Sequence, residues 1–99
     1  MPQVPEGFIK KILAKDDESG LYLELQEIPA GSVFPEHRHT SFEWVYILKG
    51  QLEDEFGEYP EGTFKINVPS STHTPRSKNG CTLIAVRKGD YAPTQENLD

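Results

Sequence analysis

In LYLELQEI, residues 21–28, Leu21, Leu23 and Leu25 alternate with Tyr22, Glu24 and Gln26. A period of two is the signature of a half-buried β-strand, because successive side chains point to opposite faces. Similar short runs recur at GFIKKIL (7–13), EWVYILK (43–49), QLEDEF (51–56), TFKINV (63–68) and TLIAVRK (82–88). Between them lie the turn formers DDESG, IPAGS, KG, GEYPEG, PSS and SKNG, so a strand arrives about every 8 to 12 residues, the spacing of a sandwich or barrel. The pattern predicts an all-β chain of roughly eight to ten short strands, with no helix longer than about two turns. At 99 residues there is room for one compact domain with a modest core.

Charge and cysteine usage exclude several classes of function. The net charge is −6, and QLEDEFGEYPEG alone contributes Glu53, Asp54, Glu55, Glu58 and Glu61. Such a surface repels phosphate backbones, and the one basic cluster, KKILAK, supplies little counterion release, so nucleic-acid binding is not expected. The acidic run reads as a solvated hairpin face. The longest apolar run, WVYIL, is far too short to cross a membrane. The start, MPQVPEGFIKK, lacks the apolar stretch and cleavage site of a secretory signal, and cytoplasmic location is the expectation. Cys81 is the single cysteine, which precludes an internal disulfide and reads as a small buried apolar group.

The three histidines are unevenly placed. His37 and His39 stand one residue apart with Glu43 close behind, and His73 follows PSST. On extended backbone, side chains at i and i+2 share a face about 6 to 7 Å apart, so one face holds two imidazoles while Arg38 and Glu36 point outward. The Thr40-Ser41 pair suggests a bend that carries Glu43 across to the next strand. A lone histidine in a β protein is more often a surface or hydrogen-bonded residue than a ligand; the constellation is what changes the reading.

The wider spacing runs Gly31, five residues, His37, one, His39, three, Glu43, six, Gly50. It resembles the first cupin motif at every fixed position. Gly62 lies eleven positions before His73 in GTFKINVPSSTH, which resembles the second. The departures are Pro69, one place later than the motif's usual proline, Ser70 where glycine is common, and Ser77 where asparagine often ends the motif. The resemblance spans roughly Gly31 to Lys88. Within the superfamily, DEFGEYPEGTFKINVPSSTHTP and NGCTLIAV look most like the cupin domains of ChrR-type anti-sigma factors and of single-domain relatives that include acetylacetone-cleaving dioxygenases.

The resemblance implies a double-stranded β-helix, the cupin jelly roll, as one small domain over residues 1–99, with a core of about 7–89 and a C-terminal tail at 90–99 in which Tyr91 or Leu98 docks at most. It implies that His37, His39, Glu43 and His73 ligate one divalent transition metal per chain. Three neutral imidazoles and one carboxylate suit Fe(II), Mn(II), Co(II), Ni(II) or Zn(II) and are too nitrogen-rich for Ca(II) or Mg(II). Four protein ligands leave one or two coordination positions for water, dioxygen or a small ligand. ChrR-type regulators also carry a separate helical domain that grips the sigma factor, and 99 residues leave no room for it, so sigma-factor binding is not expected.

Three functions follow from this reading. The first is a dioxygenase-like enzyme whose non-haem metal binds or transforms a small oxygen-containing molecule such as a β-dicarbonyl. The second is a non-enzymatic, metal-dependent sensing or regulatory module resembling the ChrR C-terminal domain. The third is an unliganded jelly roll that uses its histidines as core polar groups. No general acid or base besides Glu43 stands out. Phe34, Phe42, Trp44, Tyr46, Phe56, Tyr59 and Phe64 read as core before ligand contacts, and Tyr59 and Ser71 as turn structure. By parity Trp44, Tyr46 and Leu48 fall on the face opposite Glu43, Val45 and Ile47, where they cover the outer sheet or a second subunit. A homodimer is expected, with GFIKKIL as the edge strand facing the partner, since Phe8, Ile9, Ile12 and Leu13 need a cover.

Overall fold

The computed structural model describes residues 4–88. Ten strands run β1 (Ile9–Lys15), β2 (Leu21–Ile28), β3 (Ser32–Val33), β4 (His37–Arg38), β5 (Glu43–Asp54), β6 (Gly57–Pro60), β7 (Phe64–Asn67), β8 (Thr72–His73), β9 (Arg76–Ser77) and β10 (Cys81–Lys88). There is no helix among the described residues, hence none long and apolar enough to cross a membrane. The strands form a curled antiparallel sheet in the order β1-β2-β10-β5-β9-β3, with β6 and β7 also paired to β5, and a separate β4-β8 pair. This is the expected all-β jelly roll. The tail at 90–99, with Tyr91 and Leu98, lies outside the described residues.

Registers across the broad sheet explain the alternation seen in the sequence. On the inner face, Tyr22, Arg87, Glu43 and Asn67 form one cross-strand row, and Glu24, Ala85, Val45 and Lys65 the next. On the outer face the corresponding rows are Leu23, Val86, Trp44 and Ile66, then Leu25, Ile84, Tyr46 and Phe64. The inside therefore mixes a small apolar core with charge, while the centre of the outer face is apolar. The core is Ile28, Phe34, Val45, Ile47, Leu52, Cys81, Leu83 and Ala85, with Phe8 and Tyr59 packed against it. Cys81 is buried as expected, and burial pushes its thiol up to about 11.

Four expectations change. Lys49-Gly50 is not a turn: β5 runs through it without a break. Gly50 adopts φ 78°, the register slips between Thr82 and Leu83, and a Cβ at residue 50 would stand 2.1 Å from the Gly80 carbonyl oxygen. That glycine is the corner at which β5 leaves β10 and β7 and joins β6 and β9. Second, GEYPEG supplies strand β6 as well as a turn. Third, of the seven aromatics read as core, only Phe34 is buried; Phe42, Tyr46, Phe56 and Phe64 are exposed. Fourth, the acidic run is not wholly solvated, because Glu53 and Asp54 are buried and bonded, as described below.

Ser70, at the position where the motif commonly has glycine, has φ 73°. An L-residue in this left-handed region costs about 1–2 kcal/mol, partly offset by the extra chain entropy of glycine. Ser70→Gly is expected to stabilise the protein by about 0.5–1 kcal/mol, whereas Gly50→Ala, which meets backbone as well as an unfavourable φ, is expected to remove about 3 kcal/mol or more. Urea unfolding midpoints of the two variants check both signs.

Candidate metal centre

Three short segments carry the histidines. In the β4-β8 pair His37 lies directly opposite His73. His39, just beyond β4, is clamped by its backbone: its N–H donates to the Ser71 carbonyl at 2.9 Å, and its carbonyl accepts from the Ser70 N–H at 2.8 Å. The left-handed turn at Ser70 is thus what brings the two histidine segments together. Arg38 is exposed, as parity requires.

The three rings converge. Nε2 of His73 is 2.9 Å from Nε2 of His39 and 3.1 Å from Nε2 of His37, and the ring centroids are 4.7 to 5.0 Å apart. His39 and His73 are buried. On the far side of the rings, His37 Nδ1 is 3.2 Å from the Pro35 carbonyl oxygen and His73 Nδ1 is 3.0 Å from Asp54 Oδ2. A carbonyl or carboxylate only accepts, so both Nδ1 atoms carry the hydrogen and donate it. In the neutral rings both Nε2 atoms then present lone pairs to the same point, an arrangement that calls for a cation between them. Metal–nitrogen bonds of about 2.0–2.1 Å set two nitrogens at right angles about 3.0 Å apart, so the donor set and spacing fit a divalent transition ion.

Glu43, the first residue of β5, is placed differently. Its Oε1 is 3.7 Å from Nδ1 of His39 and accepts from Asn67 Nδ2 at 2.9 Å, while Oε2 is 3.6 Å from the Arg87 guanidinium. The group of facing donors is His37, His39 and His73, with Glu43 beside it on the outer edge of His39.

The supporting residues were not legible as such. Asp54 closes β5 and accepts from His73, from the Phe56 N–H at 2.9 Å and from the Tyr59 hydroxyl at 2.8 Å, with Lys65 Nζ 3.5 Å away. Its neighbours do parallel work: Glu55 accepts from the Thr74 N–H at 2.9 Å and Glu53 from the Lys78 N–H at 3.1 Å. Three consecutive carboxylates thereby pin the segment 73–78. Tyr59 serves Asp54 rather than a turn, while Ser71 does serve its turn, donating to the Val68 carbonyl at 2.6 Å. The one usable signal was that Asp54 shares parity with the buried Leu52.

A charged belt continues along the inner rows. Lys65 also bonds Asn67, Arg87 lies 3.3 Å from Glu24 and donates from Nε to the Tyr22 hydroxyl at 2.9 Å, and Lys10 is 3.5 Å from Glu24. Burial opposes ionisation of Asp54, but the bonds from His73, Phe56 and Tyr59 and the Lys65 charge outweigh it and hold the carboxyl down at about 2. Burial lowers His73 below the ordinary imidazole range, aided by His39 and Lys65 against Asp54. The ring is thus kept in the neutral form that donates a lone pair. Burial and the Asp54 contact push Tyr59 up to about 12.

A family model for the ChrR cupin-like domain matches residues 2–92. No functionally curated protein matches the chain. The fold is similar to an acetylacetone dioxygenase from Acinetobacter johnsonii, at 17% identity and a TM-score of 0.79 over 87% of this chain and 62% of that one. It is similar to a chain of the complex between SigE and the anti-sigma ChrR of Rhodobacter sphaeroides, at 26% identity and a TM-score of 0.74 over 87% of this chain and 48% of that one. An RmlC-like cupin protein from Ralstonia eutropha aligns at 21% identity and a TM-score of 0.77, over 89% of this chain and 64% of that one. The chain thus spans less than two thirds of each of these structures.

Because the Asp54 carboxyl is held at about 2 in the fold and ordinary aspartate titrates near 3.9, its ionised contacts stabilise the protein fully above about pH 4 and are lost as pH falls toward 2. In chelator-treated protein, the stability difference between native and Asp54→Asn is expected to shrink over that window. Urea midpoints at pH 5 and pH 3 measure it, and parallel curves would count against the assignment.

Proposed function

Because this chain belongs to the ChrR cupin-like domain family, we propose that it holds one divalent transition metal through His37, His39 and His73, with Glu43 turning from Asn67 and Arg87 to serve as fourth ligand. The open side of that centre binds a small oxygen-bearing ligand. The observation that carries the reading is the facing of three Nε2 atoms at 2.9 and 3.1 Å with two of the rings fixed from behind. Iron, zinc, manganese, nickel and cobalt all suit the donors. A bound ion supplies Lewis acidity toward a coordinated oxygen. The chain's own residues orient the donors and exclude water from His39 and His73.

The likeness to an acetylacetone dioxygenase supports a dioxygenase-like reaction on a chelating dicarbonyl. A second reading, a non-enzymatic ligand-sensing module, is favoured by the engagement of both nearby carboxylates: Glu43 is committed to Asn67 and Arg87, Asp54 to four partners.

The outer rows bear on partners. Phe64 is 60% exposed, Ile66 49%, Tyr46 41% and Leu48 37%, and with Leu23, Leu25, Trp44, Ile84 and Val86 they present on the order of 600 Å² of apolar surface, the top of the range for a monomer. An outer face this apolar calls for a cover, and a second copy offers a matching area close to the roughly 800 Å² per partner of a stable interface. The contact we propose is therefore the outer face, in place of the β1 edge.

Untagged protein is expected to contain about one equivalent of metal per chain by elemental analysis, and His39→Ala to lose it under mild chelation; full retention would end the four-ligand reading. Oxygen uptake with acetylacetone separates enzyme from sensor, since consumption by the loaded protein supports the first and ligand binding without consumption the second. In light scattering the native chain is expected at twice its monomer mass and Phe64→Glu at the monomer mass. A monomeric native chain rules out self-association, and dissociation by Ile12→Glu alone moves the contact back to β1.

A further inference from the structure

We propose that Asp54 is the positioning residue of the three-histidine centre: by accepting the Nδ1 hydrogen of His73 it fixes that ring's tautomer and aim, and so governs how tightly the centre holds a metal. The inference rests on the metal reading above and deepens it.

The three rings are not equally supported. His37 is backed by a neutral carbonyl at 3.2 Å, and His39 has the Glu43 carboxylate 3.7 Å from its Nδ1. Among the described residues, His73 is the ring with a carboxylate oxygen at 3.0 Å. A charged acceptor makes the opposite nitrogen a better donor and costs the ring its freedom to flip. Were His73 to take the other tautomer, its Nε2–H would point at the nitrogens of His37 and His39, in the space a metal needs. The two alternatives for that one hydrogen are thus a loaded and a blocked centre.

Asp54 is itself immobilised. Its side chain is buried, one oxygen is held by the Phe56 N–H and the Tyr59 hydroxyl, and the other is shared between His73 and Lys65. Lys65 also bonds Asn67, which holds Glu43. One cation therefore ties the carboxylate behind His73 to the carboxylate beside His39. The geometry is that of a preset ring rather than one that finds its position when metal arrives.

Cobalt(II) is the probe, because its visible spectrum reports ligand geometry as well as occupancy. With native protein, Asp54→Asn and the control Glu58→Gln in the same hairpin, a titration against a competing chelator is expected to show a 10- to 100-fold loss of affinity for Asp54→Asn, an altered spectrum at saturation, and no change for Glu58→Gln. Native affinity and spectrum in Asp54→Asn would overturn the inference while leaving the metal reading intact. No cobalt binding by the native protein would overturn both. Should Asp54→Asn fail to fold, long-range ¹H–¹⁵N spectra of the chelated native protein decide the matter: His73 is expected as the Nδ1–H tautomer, and the Nε2–H tautomer would sink the proposal.

Discussion

The curl of β5 is the constraint on which the rest depends. This one strand is bonded to β10, β7, β6 and β9, which it manages only because Gly50 lets it change sheets. Its two ends, Glu43 and Asp54, would lie about 36 Å apart if the twelve residues ran straight. Instead both ends reach histidines whose ring centroids are 4.8 Å apart, Glu43 beside His39 and Asp54 on His73. Closing the strand into a loop is what turns two carboxylates distant along one backbone into the two flanks of a single site. The close approach of Gly50 to the Gly80 carbonyl is therefore part of the site's construction.

Charge on the inner face follows the same logic. Glu24, Glu43 and Asp54 are matched by Lys10, Arg87 and Lys65, each carboxylate having a cation within 3.3 to 3.6 Å. An unmatched charge in such a place would be strongly destabilising, whereas a matched and hydrogen-bonded one serves to fix geometry. The eight buried apolar side chains among the described residues are too few to orient three imidazoles by packing alone. The belt does so by directional bonds.

How much could be read from the chain in advance depended on the range of the interaction. Alternation in LYLELQEI and TLIAVRK reported local backbone geometry, and β2 and β10 fall where it placed them. The histidines were legible because the fold brings together residues at fixed sequence spacing. Asp54 was hidden because its role depends on a partner nineteen residues away, and its acidic neighbours gave it the look of a solvated turn. Lys49-Gly50 misled for a related reason: glycine marks positive φ wherever it occurs, in a turn or at a bend within a continuous strand. Alternation along β5 did set Tyr46 and Leu48 opposite the buried Val45 and Ile47, but the exposure of Phe64 was invisible to hydropathy, which reports that a residue prefers cover without saying which side of the sheet provides it.

The same arrangement would tie binding of the proposed metal to folding. Lone pairs on the Nε2 atoms of His37 and His73, 3.1 Å apart, repel until a cation lies between them, and the left-handed Ser70 that brings their segments together is itself strained. Both features destabilise the metal-free fold, and both exist only in the folded chain, since the donors come from β4, the residue after it and β8. An ion that binds the native state alone stabilises it by about 2.7 kcal/mol at a hundredfold excess over its dissociation constant, a large part of the roughly 5–15 kcal/mol typical of a whole domain. In a protein with so small a core, the chemistry of the centre and the stability of the fold become one equilibrium. On the proposed reading, a ligand that removed the metal would shift the folded population along with the site.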